Sequence, residues 1–213
     1  ANVPNTLPGQ AVAFILLGDV EVTDAVPPEA AFQPAAAPVT VRTLVAANLR
    51  SAPTTNANVL TSVSANTELA ADAISADRGW LRIVYQNAVA GWVFREVLAP
   101  TTAADVLPVL TRASRTPMQA FYFRTGLGDP TCNEAPSLLV VQGPQQYAVD
   151  ITANGVDIRI GSTIALRTAT ANSMDILVVS GSARVGSLII PAGFIVTAPL
   201  DASGQGPGGP LVN

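Results

Sequence analysis

The stretch that most constrains this chain is Val149-Asp-Ile-Thr-Ala-Asn154-Gly155-Val-Asp-Ile-Arg-Ile160. Apolar and polar residues alternate on both sides of Asn-Gly, the strongest short signal for a two-residue hairpin turn of primed type. The turn fixes the register. Ala153 faces Val156, Ile151 faces Ile158 and Val149 faces Ile160 on one buried face. On the other face Thr152 meets Asp157, and Asp150 meets Arg159 as an opposite-charge pair. Alternation continues downstream. Strands are predicted over Thr163 to Arg167, Asp175 to Val179, Ser182 to Val185, Ser187 to Ile190 and Phe194 to Pro199. Turns at Ala171-Asn172, Ser180-Gly181, Gly186 and Pro191-Ala-Gly193 divide them.

Hydrophobic residues make up 49% of the chain but aromatics only 5%, so the core must be built from Val, Ile, Leu and Ala. Val and Ile suit pleated, half-buried surfaces, and 17 prolines and 16 glycines supply turns. The fold class expected is all-β. A length of 213 residues suits one large or two small domains.

The same composition removes most catalytic chemistry. The chain has no histidine, and all eleven basic residues are arginine. A Ser-His-Asp triad, a Cys-His pair, a His-ligated metal and a lysine Schiff base are therefore excluded. The fifteen acids are dispersed, and Asp150, Asp157, Glu68 and Asp72 read as solvated strand residues. No calcium-loop motif is present. The expectation is a non-enzymatic protein with no catalytic residues, no metal and no cofactor. With a net charge of −4 and no basic patch, nucleic acid is not an expected partner. No apolar run is long enough to span a bilayer. The opening Ala1-Asn2-Val3-Pro4 reads as an end left by signal-peptide removal, which predicts an extracellular or cell-surface location. Cys132 stands alone in a turn-rich loop. It reads as a buried thiol or as a candidate for an intermolecular bridge, with no His or Lys to activate it.

The amino-terminal segment carries two open readings. Ala11 to Leu17 is apolar on both faces, so a strand there should be covered on both sides. Asp19 to Thr23 alternates as a half-buried strand. Asp24 to Pro38, rich in Ala and Pro, reads as a stiff extended linker. An apolar strand on such a tether could be donated to a neighbouring copy, with Ala11, Val12, Phe14, Ile15, Leu16, Leu17, Val20 and Val22 as the donor residues. It could equally fold back on its own domains. Residues 202–213 are a Gly/Pro tail whose composition predicts disorder.

Family resemblance enters through Asn48-Leu49-Arg50-Ser51 with Pro53, then Gly79-Trp80, then Gly91-Trp92-Val93. In order and spacing these resemble the bacterial SH3-like domain, which typically reads L-N-V-R-S-x-P, G-W-x-x-V and G-W-V. Ala52 departs from it, standing where the family often has Gly. The resemblance implies a small barrel over about 39–100. It also implies a candidate groove for cell-wall peptide, formed by Trp80, Tyr85, Trp92 and Phe94. The structural reading of the two tryptophans is that they fill the barrel. Asp157 to Val185, with Ile190 to Phe194, loosely resembles the β-sandwich of FecR-type proteins. Tyr122 to Gly126, the Cys132 loop and the Asn-Gly hairpin together resemble a module of secreted multidomain bacterial proteins. The organisation expected is thus a strand and linker at 1–38, an SH3-like barrel at 39–100, a β-sandwich-like domain at 101–201 and the tail. Two functions stand. One is a subunit of an extracellular or envelope filament, a homo-oligomer or homopolymer assembled through its terminal segments. The other is an SH3-like module that binds cell-wall peptide or an envelope protein.

Overall fold

The computed structural model describes residues 12–85, 89–111, 113–126, 137–143 and 148–212. Ala11 and Cys132 lie outside them. The chain is nearly all β. In order the strands are β1 (Ala13–Leu17), β2 (Val20–Asp24), β3 (Val39–Arg42), β4 (Ala47–Arg50), β5 (Val59–Val63) and β6 (Glu68–Ser75). Next come β7 (Trp80–Tyr85), β8 (Val89–Phe94), β9 (Val109–Leu110), β10 (Ala120–Thr125), β11 (Leu138–Gln142) and β12 (Val149–Ala153). The last are β13 (Val156–Ile160), β14 (Thr163–Thr170), β15 (Ser173–Ser180), β16 (Ser182–Val185), β17 (Leu188–Pro191) and β18 (Ile195–Pro199). No helix among the described residues is long and apolar enough to cross a membrane.

Two compact units result. One joins 12–30 to 117–212, and the other is 31–116. These bounds differ from the divisions expected at 38 and 100. The first unit has a five-stranded sheet ordered β1-β11-β14-β15-β18 and a six-stranded sheet ordered β17-β16-β13-β12-β10-β2. The inner faces of both supply a single core, with Leu139, Ile164, Leu166, Met174, Ile176 and Val178 from one and Phe121, Ile151, Ile158 and Ile160 from the other. Two sheets sharing one apolar layer make a β-sandwich. Its downstream strands fall where alternation places them, and the Asn-Gly hairpin has the expected register at all five pairs. Thr152 Oγ1 donates to Asp157 Oδ1 at 2.6 Å, and Arg159 Nη1 lies 3.2 Å from Asp150 Oδ2.

Asn154 does more than turn the chain. Its φ of 46° puts it in the left-handed region, yet it is only 1% exposed. β10 runs parallel to β12, and Asn154 N–H donates to Phe121 O at 3.0 Å. One step on, β12 has turned away and the carboxamide replaces the missing main chain. Asn154 Nδ2 donates to Phe123 O at 3.1 Å, and Asn154 Oδ1 accepts from Phe123 N–H at 2.8 Å.

The amino-terminal segment folds onto its own sandwich. β1 pairs antiparallel with β11, and β2 pairs antiparallel with β10. The chain changes sheets at Gly18, where φ is +67° and a Cβ would lie 2.6 Å from Ser137 Oγ. Phe14 meets Phe121 edge-on across the core at 5.0 Å. Coverage of β1 on both sides does not hold, however. Val12 and Phe14 are buried, but Ile15, Leu16 and Leu17 are 45%, 39% and 47% exposed, because β1 is an edge strand.

The carboxy-terminal tail corrects the expectation of disorder. Val212 and Thr197 exchange main-chain hydrogen bonds of 2.8 and 2.9 Å, so the tail extends the sheet beyond β18. Asp201 Oδ1 accepts from Ser203 N–H, Ser203 Oγ and Gln205 N–H, which shapes the loop. Backbone bonds and Asx-type turns hold it where a larger side chain would not fit. A Cβ on Gly155 would lie 2.7 Å from Gln205 O.

The second unit is one sheet ordered β3-β6-β7-β8-β4-β5, with β9 parallel to β6. Leu49, Leu69, Ile74, Leu81, Ile83, Val93 and Leu98 fill its interior. The Ala/Pro segment does not hang free. Ala31 bridges to Arg115, Phe32 N–H donates to Arg115 O at 2.8 Å, and Ala35 N–H donates to Asp72 O at 2.9 Å. Phe32 packs with Ala73 and Leu110 in a small separate cluster.

Candidate functional site

The site is built on the β7–β8 hairpin and the strand that crosses it. At the entry, Ser75 and Asp77 form a polar turn. Asp77 Oδ1 accepts from Ser75 Oγ and, at 3.0 Å, from Gly79 N–H. Trp80 N–H donates to Ser75 Oγ at 3.0 Å, which starts β7. The Ser75 hydroxyl, then the Gly79 amide, hold the Asp77 carboxyl below its ordinary range, because both donate to its charged form.

At the exit, the glycine of Gly91-Trp92-Val93 is set by close approach. A Cβ on Gly91 would lie 2.7 Å from Leu49 Cγ and 2.8 Å from Arg50 O. β4 crosses β8 there, with Arg50 paired to Trp92. Arg50 Nη1 then donates to Ala57 O at 2.9 Å, and Ser51 N–H to Asn58 O at 2.9 Å. These bonds close the exposed loop 51–58. Asn48 Oδ1 accepts from Ser62 Oγ at 2.9 Å on the neighbouring β5. The Asn-Leu-Arg-Ser stretch thus serves the architecture. Leu49 fills the interior, and Arg50 fixes the loop that follows.

The four groove candidates are not gathered in one place. Strand alternation puts Leu81 and Ile83 inward and Trp80 and Arg82 on the opposite face. Trp80 packs at 5.1 Å, with the rings tilted by 52°, against half-buried Phe94, which faces it across the hairpin. Trp92 faces Arg82 on the same side. Tyr85 has the inward parity and packs against the barrel core. Both tryptophans are 5% exposed and outside the main interior cluster, so they bury apolar area without filling the barrel. Little tryptophan surface remains for a ligand. Phe94, Tyr85 and loop 51–58 are what the hairpin offers.

Asp72 is corrected. It is not solvated: it is 3% exposed and ion-paired to Arg82, which is 0% exposed. A bulge between Ala71 and Ala73 shifts the register of β6 against β7, and Asp72 sits within it. Asp72 Oδ1 is buried with no hydrogen-bond partner among the described residues. Sequence reading passes over Arg82, whose only signal is parity, since it shares a face with Trp80.

Of the assembly candidates, Val12 and Phe14 are in the sandwich core, and Val20 and Val22 pack against it. Tyr122 is 36% exposed between buried Phe121 and Phe123, the alternation of a half-buried strand.

Comparison with known proteins agrees with the barrel. Residues 45–99 match the family model of the bacterial SH3 domain. No curated protein and no solved structure matches the chain. The FecR-type resemblance gains no support from these comparisons.

Proposed function

We propose that this chain is a non-enzymatic binding module of the bacterial envelope, acting outside the cytoplasm, whose SH3 domain docks on cell-wall peptide. The observation that carries this is the match at residues 45–99 together with the β4–β8 crossing, which presents loop 51–58 beside the aromatic hairpin. Loop 51–58 and Tyr85, at the turn end of the hairpin, form the contact surface, and Phe94 lies at the opposite end beside Trp80. Trp80, Trp92 and the Asp72–Arg82 pair hold that surface in place.

Co-sedimentation with purified peptidoglycan tests this. The chain should pellet with the polymer, and Tyr85→Ala should reduce the pelleted fraction several-fold with an unchanged circular dichroism spectrum. A chain that stays in the supernatant at all polymer concentrations overturns the reading. The filament reading would need β1 and β2 to leave β11 and β10 of their own chain before donation. That cost makes it the second choice.

A further inference from the structure

We propose that the outer edge of β1 pairs antiparallel with the same strand of a second copy, about a two-fold axis through Leu16. The inference stands apart from wall binding and uses a different unit of the chain.

The sandwich treats its four sheet edges differently. β18 is covered by Val212. β2 carries Glu21 and Asp24, and β17 ends in Pro191, which has no N–H to donate. Charge, proline and cover are the usual ways to prevent edge pairing. β1 has none of them: no described strand lies on its outer side, and no ionisable side chain occurs from Val12 to Gly18. Ile15, Leu16 and Leu17 stand 39–47% exposed there.

A second copy fits this edge because the strip is self-complementary. With the axis at Leu16, Ile15 faces Leu17 of the second copy, Leu17 faces its Ile15, and the two Leu16 residues face each other. Two chains of net charge −4 then meet along a strip with no charge to repel. On the outer sheet face Ile15 lies beside Val140, and Leu17 beside Leu138. Pairing would join these two short apolar rows into one continuous row across both copies. The contact is small beside the roughly 1,200 Å² of stable interfaces, so association is weak and rises with concentration. Main-chain hydrogen bonds supply its direction.

Sedimentation velocity on the full chain in reductant, from about 10 μM to about 1 mM, measures the association. A reversible dimer is expected, weakened at least about tenfold by Leu16→Lys and unchanged by Ile189→Lys on an exposed site of β17. Circular dichroism should show both variants folded. The register is read by oxidative cross-linking in a Cys132→Ser background. Facing residues of an antiparallel pair have Cα atoms about 4.5–5.5 Å apart, within disulfide range, so Leu16→Cys should cross-link faster than Leu17→Cys. A monomer throughout, a dimer insensitive to Leu16→Lys, or equal cross-linking at both positions overturns the proposal. So does a dimer lost in reductant, which would run through Cys132, or one that forms only after removal of residues 1–11, which would then be the occupant of the edge.

Discussion

Replacing Asn154 tests the idea that one side chain continues a β-ladder. In Asn154→Ala, Phe123 loses its partners for both N–H and C=O, at 2.8 and 3.1 Å. A buried main-chain group left unsatisfied costs about 1–3 kcal/mol, so the pair costs about 2–6 kcal/mol. Alanine at a φ of 46° adds about 1 kcal/mol, because Cβ crowds the carbonyl oxygen. The total is about 3–7 kcal/mol, a large share of the roughly 5–15 kcal/mol that holds a domain folded. Asn154→Gly keeps the turn geometry but loses the same two bonds, so it should be about 1 kcal/mol less damaging than alanine. Urea unfolding followed by circular dichroism measures both. With a slope of about 2 kcal/mol/M, a 4 kcal/mol loss moves the midpoint by about 2 M. Tryptophan emission reports only unit 31–116, because Trp80 and Trp92 both lie there. The loss should therefore appear in the dichroism of the sandwich. If Asn154→Gly costs less than about 1 kcal/mol, the carboxamide bridge is not what joins β10 to the hairpin.

Three further outcomes are expected. Gly155→Ala puts a Cβ 2.7 Å from Gln205 O at a φ of +73°, so hydrogen exchange at Val212 and Asp201 should accelerate as the tail lifts; unchanged exchange would contradict its docking. Arg82→Met leaves Asp72 buried without its counter-charge and should cost about 3–5 kcal/mol, whereas Arg82→Met with Asp72→Leu should recover most of that in thermal melts. The Asp77 carboxyl is held below its unfolded value of 3.8, so its contribution is present above about pH 4 and fades as pH falls through the lower folded value. Asp77→Asn should flatten that acid limb of the stability curve and leave its neutral slope unchanged, as read by melts between about pH 2 and 7.

Legibility in the sequence follows the range of the interaction. The hairpin at 149–160 is readable down to its cross-strand pairs, because turn chemistry and alternation act within a few residues. The barrel is readable through Gly79-Trp80 and Gly91-Trp92 as a recurring pattern, although the reason for Gly91, the close approach of β4, is not local and shows only in the fold. Phe121 and Phe123 inward, with Tyr122 outward, are equally plain. The groove is less so. Alternation alone separates Tyr85 from Trp80 and Trp92, but a tryptophan can be buried on either face of a sheet, and sequence does not say which. Asp72 escapes because a bulge, which nothing in Leu69-Ala-Ala-Asp-Ala73 announces, breaks the period on which an outward reading depends.

The two ends of the chain show a different limit. Composition describes one as an Ala/Pro tether and the other as a Gly/Pro tail, yet both are bound. Composition measures how much apolar area a segment can bury for itself, and by that measure each segment should be loose. Neither has to supply its own core. Phe32 borrows Ala73 and Leu110, and Val212 borrows the open edge of β18. A sheet edge gives a short segment ready-made hydrogen-bond partners, so the entropy of ordering it is offset without a large side chain. The same physics sets the contrast at β1. One end of the five-stranded sheet has its edge filled by the chain's own tail, while the described residues leave the other open and free of charge. An edge that accepts Val212 at β18 shows what β1, with no ionisable side chain from Val12 to Gly18, can accept from its own copy.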